Sequence, residues 1–385
     1  MIMIKIVHIQ LLPLLSGAQR VSLEELRRLP DDKYKKYLIS SAEGPLTQEA
    51  KKHNIQCIII PTLKREISPR NDFLSLLDLI KIIKKERFDI VHTHSSKPGV
   101  LGRIAAFLLR TPLIVHTVHG FSFPAAKNKK EYFLYLTMER IGTFCGDSLI
   151  CLHNNDKNIA IKKLYIKEKN ILVIPNGVDT NLYTPLDKKY KNEIRKNLQI
   201  NNNDISIGMI GRLWEQKNPL LLLNAAIELL HKHSNLKFYF VGDGEYFNLM
   251  DDIIKRNELT NKIFLLGWRN DTEIILNALD IFVLPSKWEG MPLAILEAQS
   301  TAVPCVVSDI QGNKEIIVNN KTGILFESNS KSELIKSIDL LVSNPEKRKE
   351  IAQNARNYIT ENHFINDRIN KLDHYYTIKL KNQIR

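Results

Sequence analysis

The 385-residue chain is 44% apolar and 25% charged, which excludes a disordered or fibrous chain and at this length favours two cores of roughly 180 residues over one. Its net charge of +13 is lopsided, with 28 Lys and Arg against 17 Asp and Glu in residues 1–180. Such a surface suits nucleic acid, anionic lipid or a phosphorylated substrate, all rich in phosphate charge, and equally a solvated lysine-rich face with no partner.

No stretch approaches about 18 uninterrupted apolar residues, so no membrane-spanning helix is expected. Lys5, His8, Gln10 and Pro13 interrupt the first segment; it reads as a buried strand rather than a signal peptide, with retention in the cytoplasm as the expectation. Cys57, Cys145, Cys151 and Cys305 show no C-x-x-C or zinc spacing and are expected to be reduced core thiols.

In chain order, apolar runs at Ile4 to Ile9, Tyr37 to Ser40, Gln56 to Pro61, Asp89 to His94 and Leu113 to Thr117 alternate with amphipathic stretches at Leu23 to Leu29, Leu46 to His53, Phe73 to Glu86 and Gly99 to Leu109. This βαβ alternation predicts a parallel sheet covered by helices. After Ile171 to Pro175, the Asn176-Gly177-Val178-Asp179 turn and a polar stretch with Pro185 and Lys188 to Lys191 read as a linker, with a boundary near residue 180. The pattern restarts with strands at Ile205 to Ile210, Phe238 to Val241, Ile263 to Leu266 and Ile281 to Pro285. Helices are expected at Pro219 to His231, after Gly244, around Ile274 to Leu279 and from Lys331 onward. The predicted fold is two doubly wound α/β domains in series, 1–180 and 181–365, with a last helix in 366–385. In open α/β sheets ligands bind at the carboxyl ends of the strands.

At those ends stand the candidate residues. Trp288-Glu289-Gly290-Met291-Pro292-Leu293 follows the Ile281 strand; Gly290 frees the backbone and Pro292 suits a helix's first turn, so the loop offers backbone N–H groups to a phosphate. Glu289 precedes that helix and Glu297 lies inside it, too far apart for an acid/base dyad. Gly211-Arg212-Leu213-Trp214-Glu215-Gln216-Lys217 follows the Ile205 strand, so Arg212 and Lys217 converge where they could grip a diphosphate and neutralise charge growing on a departing one. Gly17, in a turn after the first strand, could approach a phosphate. His119, followed by Gly120 after the Leu113 strand, could donate to a sugar hydroxyl or be a satisfied structural histidine. His92, His94 and His116 raise the question of metal, but no carboxylate accompanies them in the sequence and none is expected. No D-x-D, P-loop or G-x-G-x-x-G motif occurs, and Asp243-Gly244-Glu245 sits in a turn.

Taken together, Gly211-Arg212-Leu213 with Lys217, Glu289 and Glu297, Ser16-Gly17-Ala18-Gln19, His92-Thr93-His94-Ser95 through Gly102-Arg103, Ile174 to Asp179, Val241-Gly242-Asp243-Gly244 and Leu266-Gly267-Trp268-Arg269 resemble the family 4 retaining glycosyltransferases over nearly the whole chain. That family builds bacterial polysaccharides, lipopolysaccharides and glycolipids. The resemblance implies a GT-B fold, two Rossmann-like domains facing a central cleft, the last helix returning to the first domain. It implies a nucleotide-sugar donor, UDP first and GDP second, and no metal or other cofactor. Arg212 and Lys217 would bind the donor diphosphate, assisted by Gly17, Gly290 and the amides around Met291 and Leu293. Glu297 would hold the ribose, Glu289 the sugar hydroxyls, Trp268 and the backbone at Arg269 the base, and His119 the sugar near its anomeric carbon. The family's frequent two glycines are Ser16-Gly17 here, which makes Gly17 the firmer phosphate contact. Acceptors would be glycans or polyprenyl diphosphates, and the basic first half then acquires a purpose in peripheral docking on the anionic inner face of the membrane.

Two rival readings are an epimerase of sugar nucleotides on the same scaffold and a non-enzymatic two-domain ligand-binding protein, which would call for an export signal. Nucleic-acid binding finds no basic helix with interleaved aromatic residues to support it.

Overall fold

The computed structural model describes residues 3–66 and 68–383. Its chain divides into two compact units, Met1–Asn176 with Asn366–Arg385, and Gly177–Ile365.

The first unit runs β1 (Ile4–Ile9), α1 (Gly17–Arg28), β2 (Tyr34–Ser40), α2 (Pro45–Lys52), β3 (Gln56–Ile59), α3 (Pro69–Glu86), β4 (Ile90–His94), α4 (Ser96–Leu108), β5 (Leu113–Val118), α5 (Lys129–Phe144), β6 (Ser148–Cys151), α6 (Asn154–Ile159) and β7 (Ile171–Val173). Its seven strands are ordered β3-β2-β1-β4-β5-β6-β7 and pair parallel throughout. The order reverses between β1 and β4, the switch point at which open α/β sheets open a crevice. Val7, Ile9 and Val91 of the sheet pack with Leu79 and Ile83 of α3 and Ala105 and Ala106 of α4, so the β-branched runs are buried as a covered parallel sheet requires.

The second unit continues with α7 (Lys188–Asn197), β8 (Ile205–Ile210), α8 (Pro219–Lys232), β9 (Leu236–Val241), α9 (Phe247–Arg256), β10 (Ile263–Gly267), α10 (Thr272–Ala278), β11 (Ile281–Leu284), α11 (Leu293–Ser300), β12 (Cys305–Ser308), α12 (Gln311–Lys314), β13 (Ile324–Phe326), α13 (Lys331–Ser343) and α14 (Pro345–Asn362). Its strands are ordered β10-β9-β8-β11-β12-β13, again all parallel. The last helix, α15 (Ile365–Gln383), packs with the first unit through buried Arg368, Leu372 and Tyr376. Both sheets are Rossmann-like, in agreement with the fold read from the sequence.

Three local expectations are corrected. The polar stretch read as linker contains α7, capped by Asp187 and anchored by Arg195, whose guanidinium donates to Ala278 O at 3.0 Å and Asp280 Oδ2 at 2.9 Å. Gly17 is not in a free turn but opens α1, with Ser16 O accepting from the amides of Gln19 and Arg20. Pro292 stands one position outside α11, as its N-cap, and Leu293 is the first helical residue.

Candidate functional site

In the second unit the loop after β8 and the loop after β11 are knitted together. Gln216 Nε2 donates to Trp288 O at 2.8 Å, and Lys287 N donates to Gln216 O at 2.8 Å. Between them lies an ion pair, Lys217 Nζ to Glu289 Oε1 at 2.5 Å, with Ser286 Oγ donating to the same oxygen at 2.7 Å. Both charged groups are largely shielded, with 17% and 8% of their side chains exposed, so their attraction is screened less than at an open surface. Residues 72 positions apart in the chain thus meet at one strand edge.

Arg212 lies on the same loop but turns elsewhere. It reaches Glu245 Oε1 at 3.2 Å and stacks over the Trp214 ring at 4.8 Å, where both partners of the ion pair are exposed. The expected convergence of Arg212 and Lys217 is therefore one of shared loop, each cation being held by a different carboxylate. The β8 and β9 loops approach closely because Gly242 has a φ of +141° and a Cβ there would lie 2.1 Å from Gly211 O. Only glycine fits that approach.

Gly290 and Met291 are buried and line the entry to α11, and Glu297 lies one turn into the helix, 3% exposed. Gly312 of α12 backs this loop, since a Cβ there would meet the carbonyl oxygens of Glu289 and Gly290 at 2.5 Å. Trp268, after β10, is half exposed, its Nε1 donating to Asn270 Oδ1 at 3.1 Å. Arg269 spends its guanidinium on Asp271, at 2.8 and 2.5 Å, so its backbone is what it offers a ligand.

In the first unit Gly17 and His119 follow β1 and β5. The parallel register sets His8 beside His92 and His94 beside Thr117. His119 Nε2 lies 3.0 Å from His94 Nδ1, His94 Nε2 lies 3.1 Å from His8 Nδ1, and His8 Nδ1 lies 2.9 Å from Ser22 Oγ of α1. His92 is held by Tyr376 Oη of α15 and by Thr117 Oγ1, each at 2.7 Å. Behind the rings sits Glu25 of α1, gripped by Arg368 of α15 through Nε at 2.9 Å and Nη2 at 2.5 Å.

The sequence shows no carboxylate beside these histidines; the fold supplies Glu25, whose Oε2 lies 3.9 to 4.0 Å from His8, His92 and His94. These four groups are the one set among the described residues whose ligand atoms gather within 4.8 Å. Burial, and then the Arg368 guanidinium, hold His8 and His119 down to about 3, while burial and neighbouring imidazoles hold His92 and His94 well below the ordinary range. The rings are therefore neutral near pH 7.

Two parallel Rossmann-like sheets, each carrying polar residues on loops at the strand ends, are the architecture of the GT-B fold. Residues 15–182 match Glycosyltransferase Family 4 and residues 190–358 match Glycosyl transferases group 1. The chain belongs to the family 4 glycosyltransferases. The Escherichia coli UDP-Gal:alpha-D-GlcNAc-diphosphoundecaprenol alpha-1,3-galactosyltransferase is 45% identical to it, over 97% of this chain and 96% of its own. The Staphylococcus aureus capsular polysaccharide biosynthesis glycosyltransferase CapM is 28% identical over 96% and 95%. Among solved structures, Anabaena HepE in complex with UDP and glucose superposes with a TM-score of 0.84 at 19% identity, covering 97% of this chain and 99% of that one; at that identity the likeness is one of fold.

Proposed function

We propose that this enzyme transfers a sugar from UDP, galactose foremost, to a sugar on a polyprenyl diphosphate during cell-surface polysaccharide synthesis. The observation that carries the reading is the 45% identity, end to end, with a galactosyltransferase whose name specifies that donor and acceptor class. The site supports it chemically. Lys217 supplies a shielded positive charge where a diphosphate leaves, with Arg212 on the same loop as a second cation, and the amides at the start of α11 supply donors. Glu289, paired with Lys217, exchanges part of that contact for the donor's sugar hydroxyls. Glu297 takes the ribose, and His119 hydrogen-bonds the sugar.

Because Lys217 and Arg212 already offer cations to the departing diphosphate, no metal is called for in this reading, and the acceptor hydroxyl attacks from the face that the diphosphate leaves, which gives retention. Incubation of the protein with UDP-galactose and a GlcNAc-diphosphate lipid, with EDTA present, tests it. An α-linked disaccharide product is expected; a β-linkage, or activity only after metal addition, would refute the retaining or the metal-free part.

Peripheral docking on an anionic membrane belongs to the same reading. Among the described residues no helix is long and apolar enough to cross a membrane. α3 packs on α4 and α4 on α5, and their outward sides expose Phe73, Leu74 and Leu77, then Phe107 and Leu108, then Phe133, Leu134, Ile141 and Phe144, the last 78% exposed. Exposed Arg70, Lys81, Lys84, Lys85, Arg110, Lys129 and Lys130 stand on or beside these helices. Apolar side chains among cations fit a lipid headgroup layer, which takes up both. Co-sedimentation with phosphatidylglycerol vesicles but not with phosphatidylcholine vesicles is expected, and equal partition would refute it.

A further inference from the structure

The buried histidines behind His119 have no part in the reading above, yet they determine which ring nitrogen His119 can offer. We infer that His8 and His94 are positioning residues, forming a hydrogen-bonded chain that holds His119 as the tautomer protonated on Nδ1. This rests on the reading that His119 meets the sugar, to which it then presents a neutral N–H donor.

The inference follows from counting protons along the chain. A neutral imidazole has one N–H and one lone pair, so the His8–His94–His119 contacts at 3.1 and 3.0 Å permit two patterns. In one, His119 Nε2–H donates to His94 Nδ1 and His94 Nε2–H donates to His8 Nδ1. The proton of His8 then falls on Nε2, which is buried and has no partner. In the other, His8 Nδ1–H donates to His94 Nε2 and His94 Nδ1–H donates to His119 Nε2. Only a lone pair is then left bare at His8 Nε2, and the proton of His119 sits on Nδ1. An orphaned buried N–H is rarer and costlier than an under-used acceptor, so the second pattern is favoured. Ser22 Oγ, 2.9 Å from His8 Nδ1, accepts from that same N–H.

The rear of the array is fixed by α15. Arg368 donates to Glu25, and Tyr376 holds His92, stacked on His94 at 4.3 Å between centroids. The guanidinium already occupies Glu25 Oε1, and the His8 and His94 nitrogens facing Oε2 are engaged with each other, so the cluster is a hydrogen-bonded array in preference to a cation cage. Burial keeps its members uncharged.

Long-range proton–nitrogen spectra of the full-length protein labelled with 15N-histidine report which ring nitrogen carries the proton, with His119→Asn identifying the signals. Nδ1–H is expected for His119 in the wild type, lost or mixed with Nε2–H in His94→Phe, and retained in His94→Gln, whose amide can still donate. With UDP-galactose and the lipid-linked acceptor, His94→Phe should lower kcat roughly tenfold, the worth of one hydrogen bond, with little change in donor KM; His94→Gln should recover most of it. An Nε2–H signal for His119 in the wild type, or a stoichiometric metal ion by elemental analysis, would overturn the inference. If His119→Asn leaves turnover intact while the Nδ1–H signal is present, the hydrogen-bond chain stands and the role of His119 at the sugar fails.

Discussion

Lowering the pH from 7.5 to 5.5 should destabilise the first unit well before ordinary carboxylates titrate. His8, His92, His94 and His116 are at most 3% exposed, and burial, with neighbouring imidazoles and the Arg368 and Arg103 guanidinia, holds all four below 6.5. The unfolded chain regains ordinary imidazoles, so it binds more protons than the native state below about pH 6.5, and stability falls as pH falls. Each neutral buried ring then costs about 1.4 kcal/mol at pH 5.5 relative to pH 7.5, on the order of 5 kcal/mol for four. Glu25, which burial pushes up, works in the opposite sense, and one carboxyl protonated throughout the interval would return at most about 2.7 kcal/mol, leaving a net loss of roughly 3 kcal/mol or more, a sizeable part of a domain's stability. Urea unfolding followed by far-UV circular dichroism at pH 7.5, 6.5 and 5.5 measures this. Trp214, Trp268 and Trp288 are the chain's three tryptophans and all lie in the second unit, so their fluorescence serves as an internal control. A first-unit midpoint that moves no more than the tryptophan signal, or a net uptake below one proton on unfolding, would refute the reasoning.

Replacing Lys217 by Met removes the shielded cation beside Glu289, and turnover should fall about 10²- to 10³-fold, with the fold checked by circular dichroism. Glu297→Ala should abolish the thermal protection given by a UDP-sugar; unchanged protection in a melting assay would remove Glu297 from the site. Gly242→Ala places a methyl 2.1 Å from Gly211 O at a φ of +141°, so the second unit should lose more than about 2 kcal/mol in urea titration.

The alternation of β-branched runs with amphipathic stretches made the parallel sheets readable, because a strand buried on both faces has few other sequences open to it. β12 and β13, of four and three residues, were too short to show a period. α7 was missed because none of its residues is buried, which leaves no apolar stripe; its hold comes from Arg195 instead. Glycine and proline at strand ends exposed the loops of the second unit, and Lys217 meeting Glu289 is what two such loops on adjacent strands β8 and β11 produce. Nothing in local sequence could place Glu25 beside His92 and His94, since that meeting depends on α1 crossing above the sheet and on α15 closing behind it.

Glu25 and Arg368 are 343 positions apart, and His92 and Tyr376 are 284 apart. A ribosome releasing this polypeptide therefore finishes the second unit, a contiguous segment, before it emits the helix that the first unit still lacks. Until then a carboxylate and a row of imidazoles stay open to water, and the earliest-made half of the enzyme is the last to become native.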